Sequence, residues 1–192
     1  MNVVIIDYGA GNIQSIRFAL ARLGITATLS DDVTTIKNAS HVVFPGVGEA
    51  SSAMEKLRAT GLDKLLPKLT QPVLGICLGM QLMCNNTAEG NTEGLGIFDT
   101  AVVRFETSLN VPHMGWNTVE GKGVLFQNID DNSHFYMVHS FYAEPNEDMI
   151  GACTYEVRFA AALAKDNFYG TQFHPEKSGA VGARLLQNFL AL

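Results

Sequence analysis

Charge is scarce in this chain of 192 residues. Asp, Glu, Lys and Arg make up 17% of it, against about 25% in an average globular protein. The formal net charge is −6, and no Lys/Arg cluster interrupts the acidic balance. These two features exclude nucleic-acid binding and a membrane-surface role. Disorder is excluded as well, because 47% of the residues are hydrophobic and disordered chains combine low hydrophobicity with high charge. Long apolar runs are also missing, and none approaches the roughly 20 residues of a membrane span. The run Val3-Val4-Ile5-Ile6 stops at Asp7 with no basic residue before it, unlike a secretory signal. Cysteine is limited to Cys77, Cys84 and Cys153, an odd number that cannot all pair within the chain. The expectation is three reduced thiols in a cytoplasmic protein, each needing its own explanation. Length predicts a single domain over residues 1–192, since domains run about 100–200 residues. Such a domain buries about 70% of its unfolded surface and needs no disulfide or metal staple. The charge deficit itself points to some surface not meant for water.

What is present falls into two halves. In the first, short apolar runs alternate with amphipathic segments. Val3–Ile6 reads as a fully buried strand. Ile13, Ile16, Leu20 and Leu23 recur at helical spacing, with Gly24 as a stop. Further strands are expected at Ile25–Leu29, His41–Phe44 and Val73–Ile76, with helices over 50–60 and 62–69. Buried strands joined by helices imply a parallel sheet covered on both faces. From about residue 97 strand-like runs dominate, at Ile97–Phe105, Phe135–Val138, Ala160–Lys165 and Phe168–Phe173. They read as antiparallel additions to the same sheet. Gly179–Leu190 reads as a closing helix. The predicted class is therefore α/β, with a central mostly parallel sheet flanked by helices and antiparallel additions in the C-terminal half.

Gly9-Ala-Gly11 after the first strand invites a dinucleotide-binding reading, but the third glycine of that fingerprint is replaced by Gln14. A plain strand-to-helix turn remains. The sharper signal is Val73-Leu74-Gly75-Ile76-Cys77-Leu78-Gly79-Met80-Gln81, an apolar strand running into Gly-x-Cys-x-Gly and a helix-compatible stretch. This is a nucleophile elbow with Cys in place of Ser. Its glycines let strand and helix approach, and the helix N-terminus favours thiolate over thiol. Cys84 and Cys153 lack such flanks and read as small buried thiols. Of the histidines, His41 begins an apolar strand and reads as structural, while His134 reads as solvated in a polar turn. His174 ends an apolar strand, and Pro175 lets Glu176 point back at its ring. A carboxylate there holds the tautomer and stabilises the imidazolium. The candidate triad is Cys77, His174 and Glu176. An oxyanion hole would draw one N–H from Leu78 and a second from Gly46 or Val47 in Pro45-Gly46-Val47-Gly48, where a plain turn stays open as the alternative.

Gly75-Ile-Cys77-Leu-Gly-Met-Gln81 together with Phe173-His174-Pro-Glu176 resembles the class I glutamine amidotransferases, over essentially the whole chain. Tyr8-Gly-Ala-Gly-Asn12, Pro112-His-Met-Gly-Trp-Asn117 in a long middle loop, Tyr136-Met-Val-His139-Ser140 and Lys177 are similar to the branch that serves imidazole glycerol phosphate synthases. The resemblance implies a flavodoxin-like core, no cofactor, and glutamine hydrolysis through a thioester on Cys77. It implies glutamine contacts from Gly48, Gln81, Glu89, His139 and Ser140. It also implies a cyclase partner that receives the ammonia, faced by Asn12, Trp116, Asn117, Tyr136 and Lys177. Asn110 departs from the family pattern at the edge of the middle loop, where many relatives carry Lys or Arg. Three other readings fit the elbow. A glutaminase for another synthase is argued against by the Met-Gly-Trp-Asn run, and a catalytically dead binding subunit by the intact triad. A cysteine peptidase or γ-glutamyl hydrolase of similar fold would leave the partner-facing runs unexplained.

Overall fold

The structure, a computed structural model, describes residues 1–9 and 11–192. Ala10, in the middle of the turn expected after the first strand, lies outside the described residues. The first half builds as its apolar periodicity dictates. In chain order it gives β1 (Val3–Ile6), α1 (Ile13–Arg22), β2 (Thr28–Ser30), α2 (Val33–Lys37), β3 (His41–Gly46), α3 (Ala50–Thr60), α4 (Leu62–Leu65), β4 (Val73–Cys77) and α5 (Leu78–Met83). The second half adds β5 (Cys84–Thr87), β6 (Thr92–Glu93), β7 (Phe98–Arg104), β8 (His113–Gly121), β9 (Ser133–His139), β10 (Phe141–Ala143), β11 (Met149–Tyr155), β12 (Val157–Lys165), β13 (Phe168–Thr171) and α6 (Gly179–Leu190).

The centre of the sheet runs β2-β1-β3-β4-β13, all parallel. This is the doubly wound flavodoxin order, whose ligands bind beyond the carboxyl ends of the strands. From β12 outward the direction reverses, through β10 and β7, with β11 pairing β12 and leading to a β8–β9 ribbon. Because side chains alternate across a strand, each central strand feeds two cores. Val4, Ile6, Val42 and Phe44 pack with Ala53, Met54 and Leu57 of α3. Val3, Ile5, Val43, Leu74 and Ile76 pack with Ile16 and Leu20 of α1 and Leu185, Leu186 and Phe189 of α6. Burial on both faces explains why these strands read as unbroken apolar runs. Among the described residues no helix is long and apolar enough to cross a membrane.

Several expectations need correction. The middle loop is a strand: His113–Gly121 pairs antiparallel with Ser133–His139, from His113↔His139 to Val119↔Ser133. His134 is exposed but lies on β9, opposite Thr118, and not in a turn. The second strand covers Thr28–Ser30 and not Ile25–Leu29, because its pairing with β1 begins at Val4↔Thr28. The 62–69 segment is one helical turn followed by a 3₁₀ turn at Leu66–Lys68, where Pro67 removes a backbone donor. The strand expected to reach Phe173 stops at Thr171.

Candidate active site

Cys77 ends β4 at φ 55°, ψ −111°, a left-handed conformation that an L-residue with a side chain adopts only under constraint. The constraint is the close approach of α5 to two strands. A Cβ on Gly79 would lie 2.1 Å from the Phe44 carbonyl oxygen of β3, and one on Gly75 would lie 2.6 Å from the Met83 sulfur. The two glycines flanking the elbow are therefore contact points. The thiol they present is almost fully buried, and its Sγ accepts from Gln172 Nε2 at 3.7 Å.

Beyond β13 the chain brings His174 to the same rim. Its Nδ1 lies 2.8 Å from Glu176 Oε1, with both side chains buried. The carboxylate accepts from Nδ1, which leaves Nε2 as the edge available to Cys77. Nε2 is buried and has no hydrogen-bond partner of standard geometry. Burial pushes the His174 pKa down, but the Cys77 and Glu176 side chains outweigh it and raise the ring to about 9. An imidazolium held this way sits ready to pair with a thiolate and to give up a proton. The His174 backbone is also fixed: its N–H donates to Tyr136 O at 3.0 Å, and its carbonyl accepts from Ser178 Oγ at 2.7 Å.

The oxyanion candidates lie where the register puts them. Gly46 pairs with Cys77 across β3 and β4, and Val47 and Gly48 follow it along the pocket rim. Leu78 opens α5, so its N–H has no acceptor within the helix. Tyr8 anchors the preceding residue, its hydroxyl donating to Pro45 O at 2.8 Å. Burial first, and the neighbouring Cys77 second, raise the Tyr8 pKa and keep it a neutral donor.

Cys77, Leu78, Val47, Gly48 and His174 line a pocket of about 380 Å³, joined by Gln81, Glu89, His139, Ser140 and Lys177. Glu176 and Gly46 stand behind this wall. Gln81 donates from Nε2 to Phe141 O and to Gln172 Oε1, each at 2.9 Å. Glu89 accepts the Ala50 N–H at 3.0 Å at the start of α3. Its pKa is raised by burial, opposed by the Ala50 bond and reinforced by Glu49. His139 is pushed down to about 3, chiefly by burial, so its ring is neutral.

On the outside of the β8–β9 ribbon, Trp116 and Met114 are 56% and 63% exposed, unusual for residues so apolar. Trp116 meets Tyr136 edge to face at 6.0 Å, and Lys177 Nζ sits 5.7 Å from the Tyr136 ring centroid. Asn12 lies at the start of α1. Asn117 turns to the opposite side of β8 from Trp116, toward His113 and Thr154. The other two cysteines are core residues. Burial raises the Cys84 thiol strongly, and raises Cys153 to about 12. Sequence reasoning passed over Tyr8, His113, Gln172 and Ser178 as parts of this framework. The only available signal was polarity inside buried strands, as at Gln172 between Thr171 and Phe173.

The family described as glutamine amidotransferase class-I matches residues 4–192. The imidazole glycerol phosphate synthase subunit HisH of Bacteroides fragilis (strain YCH46) is 50% identical over 196 residues, covering 100% of both chains. The subunit of the same description from Escherichia coli (strain K12) is 47% identical, again covering 100% of both. A solved glutamine amidotransferase superposes with a TM-score of 0.79 at 19% identity, over 99% of this chain and 98% of the other. The chain belongs to the class-I glutamine amidotransferases, within the family of HisH subunits of imidazole glycerol phosphate synthase.

Proposed function

We propose that residues 1–192 form one glutamine amidotransferase domain, a cytoplasmic glutaminase that supplies ammonia to a cyclase partner. The observation that carries this reading is the buried His174, held by Glu176 at 2.8 Å and lining one pocket with the strained Cys77. Cys77 thiolate adds to the side-chain amide carbon of glutamine. The oxyanion that forms is met by the Leu78 N–H and one from the Gly46–Val47 segment. The C–N bond breaks, His174 protonates the departing nitrogen, and ammonia leaves a γ-glutamyl thioester on Cys77. His174, now neutral, takes a proton from water, which attacks the thioester and releases glutamate. Glu176 holds the ring throughout. Gln81, Glu89, His139 and Ser140 surround the amino-acid portion of the substrate, and Glu89 suits its ammonium group.

The ammonia passes to the cyclase, which uses it to make imidazole glycerol phosphate and aminoimidazole carboxamide ribotide in histidine biosynthesis. Exposed Trp116 and Met114, with Tyr136 and Lys177 beside Trp116 and with Asn12 at the start of α1, are the surface we assign to that partner, and Asn117 backs it. Turnover of glutamine by the isolated chain should rise by about tenfold or more when the cyclase and its ligand are added. A glycine-bearing segment at Gly46–Val47 can turn a donor in or out at small backbone cost. Equal glutaminase rates with and without the loaded partner would refute this dependence.

A further inference from the structure

We propose that two arms of hydrogen bonds, one from Asn117 on β8 and one ending on the Cys77 sulfur, meet at the Phe141 carbonyl, and that His113 and Gln172 are positioning residues that set the thiol by fixing that carbonyl and the amides it orients. The inference rests on the glutaminase reading of Cys77 and adds residues to it.

The direction of every link follows from a backbone carbonyl, which can only accept. His139 Nδ1 lies 2.8 Å from Phe141 O, so it carries a proton. In the neutral ring Nε2 is then an acceptor. His113 Nδ1 lies 3.1 Å from that Nε2 and must donate to it. His113 Nε2 in turn accepts from Asn117 Nδ2 at 3.3 Å. The second Asn117 hydrogen goes to Thr154 O at 3.0 Å, and its Oδ1 accepts the Thr118 N–H at 2.8 Å, which fixes the amide's orientation. On the other side of Phe141 O, Gln81 Nε2 donates at 2.9 Å and gives its second hydrogen to Gln172 Oε1. Gln172 therefore presents its Nε2, and not its oxygen, to Cys77 Sγ. Reversing any one of these amides or rings would set donor against donor or acceptor against acceptor.

Both imidazoles must stay neutral for the first arm to hold. Burial lowers His139 to about 3 and His113 to about 4, so neither takes up a proton near neutrality. His113, His139, Gln81 and Gln172 are all buried, so water does not readily replace a lost link. The consequence falls on the sulfur. An N–H aimed at Sγ stabilises thiolate more than thiol. The ribbon that starts the first arm also holds His174, through the Tyr136 carbonyl. The strand pair carrying exposed Trp116 thus orients both the donor to Cys77 and the backbone of His174.

The test uses the complex with the cyclase and two pairs of variants. His113→Phe keeps a ring and removes both nitrogens, whereas His113→Asn retains an amide N–H in place of Nδ1–H. Gln172→Met keeps the length and removes the donor. Thermal unfolding shows which variants are folded. Glutamine hydrolysis gives kcat and KM, and iodoacetamide alkylation against pH gives the Cys77 midpoint without needing substrate. The other titratable groups that act on Cys77, His174 and Tyr8, are unaltered in all of them. We expect His113→Phe to lower kcat about tenfold, His113→Asn to restore most of it, and Gln172→Met to raise the alkylation midpoint by about one pH unit. Equal kcat for His113→Phe and His113→Asn overturns the proposal, as does a wild-type midpoint in folded Gln172→Met. If Gln172→Met does not fold, the His113 pair decides alone. A wild-type complex that fails to hydrolyse glutamine would instead overturn the glutaminase reading.

Discussion

Cys77→Ala in the complex with the cyclase should lower glutamine-dependent synthesis by about 10⁵-fold or more and leave synthesis from added ammonium salts intact. The size follows from removing the atom that forms the covalent intermediate, since knocking out a triad nucleophile costs about that much. The sparing of the ammonium route follows from the division of labour. On the proposed reading the sulfur acts only on the amide of glutamine, and the cyclase takes ammonia whatever its source. The substituted residue keeps the elbow at φ 55°, where Ala and Cys carry the same Cβ constraint. Both rates are measured on the same preparation, so loss of both would contradict the assignment of Cys77 to the first half-reaction alone.

Gly79→Ala should destabilise the fold by about 3 kcal/mol or more, read as a lower urea midpoint at unchanged slope. The added Cβ would sit 2.1 Å from the Phe44 carbonyl oxygen and 3.1 Å from its carbon, both backbone atoms of a central strand. Neither can swing aside as a flexible side chain would. Helix α5 must therefore back away from β3, taking the Leu78 N–H and Gln81 with it. Glutaminase activity should fall further than stability alone accounts for, under conditions where the variant is still folded. Gly24→Ala is the contrast. Its Cβ would meet nothing within 4 Å, and only its φ of 80° opposes the change, at about 1–2 kcal/mol.

The parts of this architecture visible in the sequence are those whose signal is local. Val3–Ile6, Ala50–Thr60 and Gly179–Leu190 have the bounds that periodicity and terminal glycines give them, and Gly61 closes α3 in the left-handed conformation. The elbow was legible because Gly-x-Cys-x-Gly encodes a close approach, and Glu176 was legible because it stands two residues from His174. The β8 strand was not. Pro112, Gly115 and Asn117 argue against a strand locally, and His113–Gly121 becomes one by pairing with β9 across the intervening loop. Met149–Tyr155 is hidden likewise by Gly151 and Ala152, which take strand form through β12 and β8. The short helix Val33–Lys37 spans too few residues to show a period, though Asp32 caps it. Gln172 and His113 escaped for a related reason. Their partners are 95 and 26 residues away, and no spacing in the chain encodes such a contact.

The early deficit of charge also has a physical place. Apolar Met114 and Trp116 stand exposed on the ribbon next to the pocket, where a partner of the proposed kind would cover them. A covered rim also suits the transfer of neutral ammonia without loss to water.

The most direct measurement of the central claim is covalent labelling of the complex with an electrophilic glutamine analogue, followed by peptide mapping. The account predicts one adduct, on Cys77, suppressed by excess glutamine, with Cys84 and Cys153 unmodified because burial keeps both as unreactive thiols. An unmodified Cys77, or an adduct on either of the other two cysteines that glutamine suppresses, would contradict it.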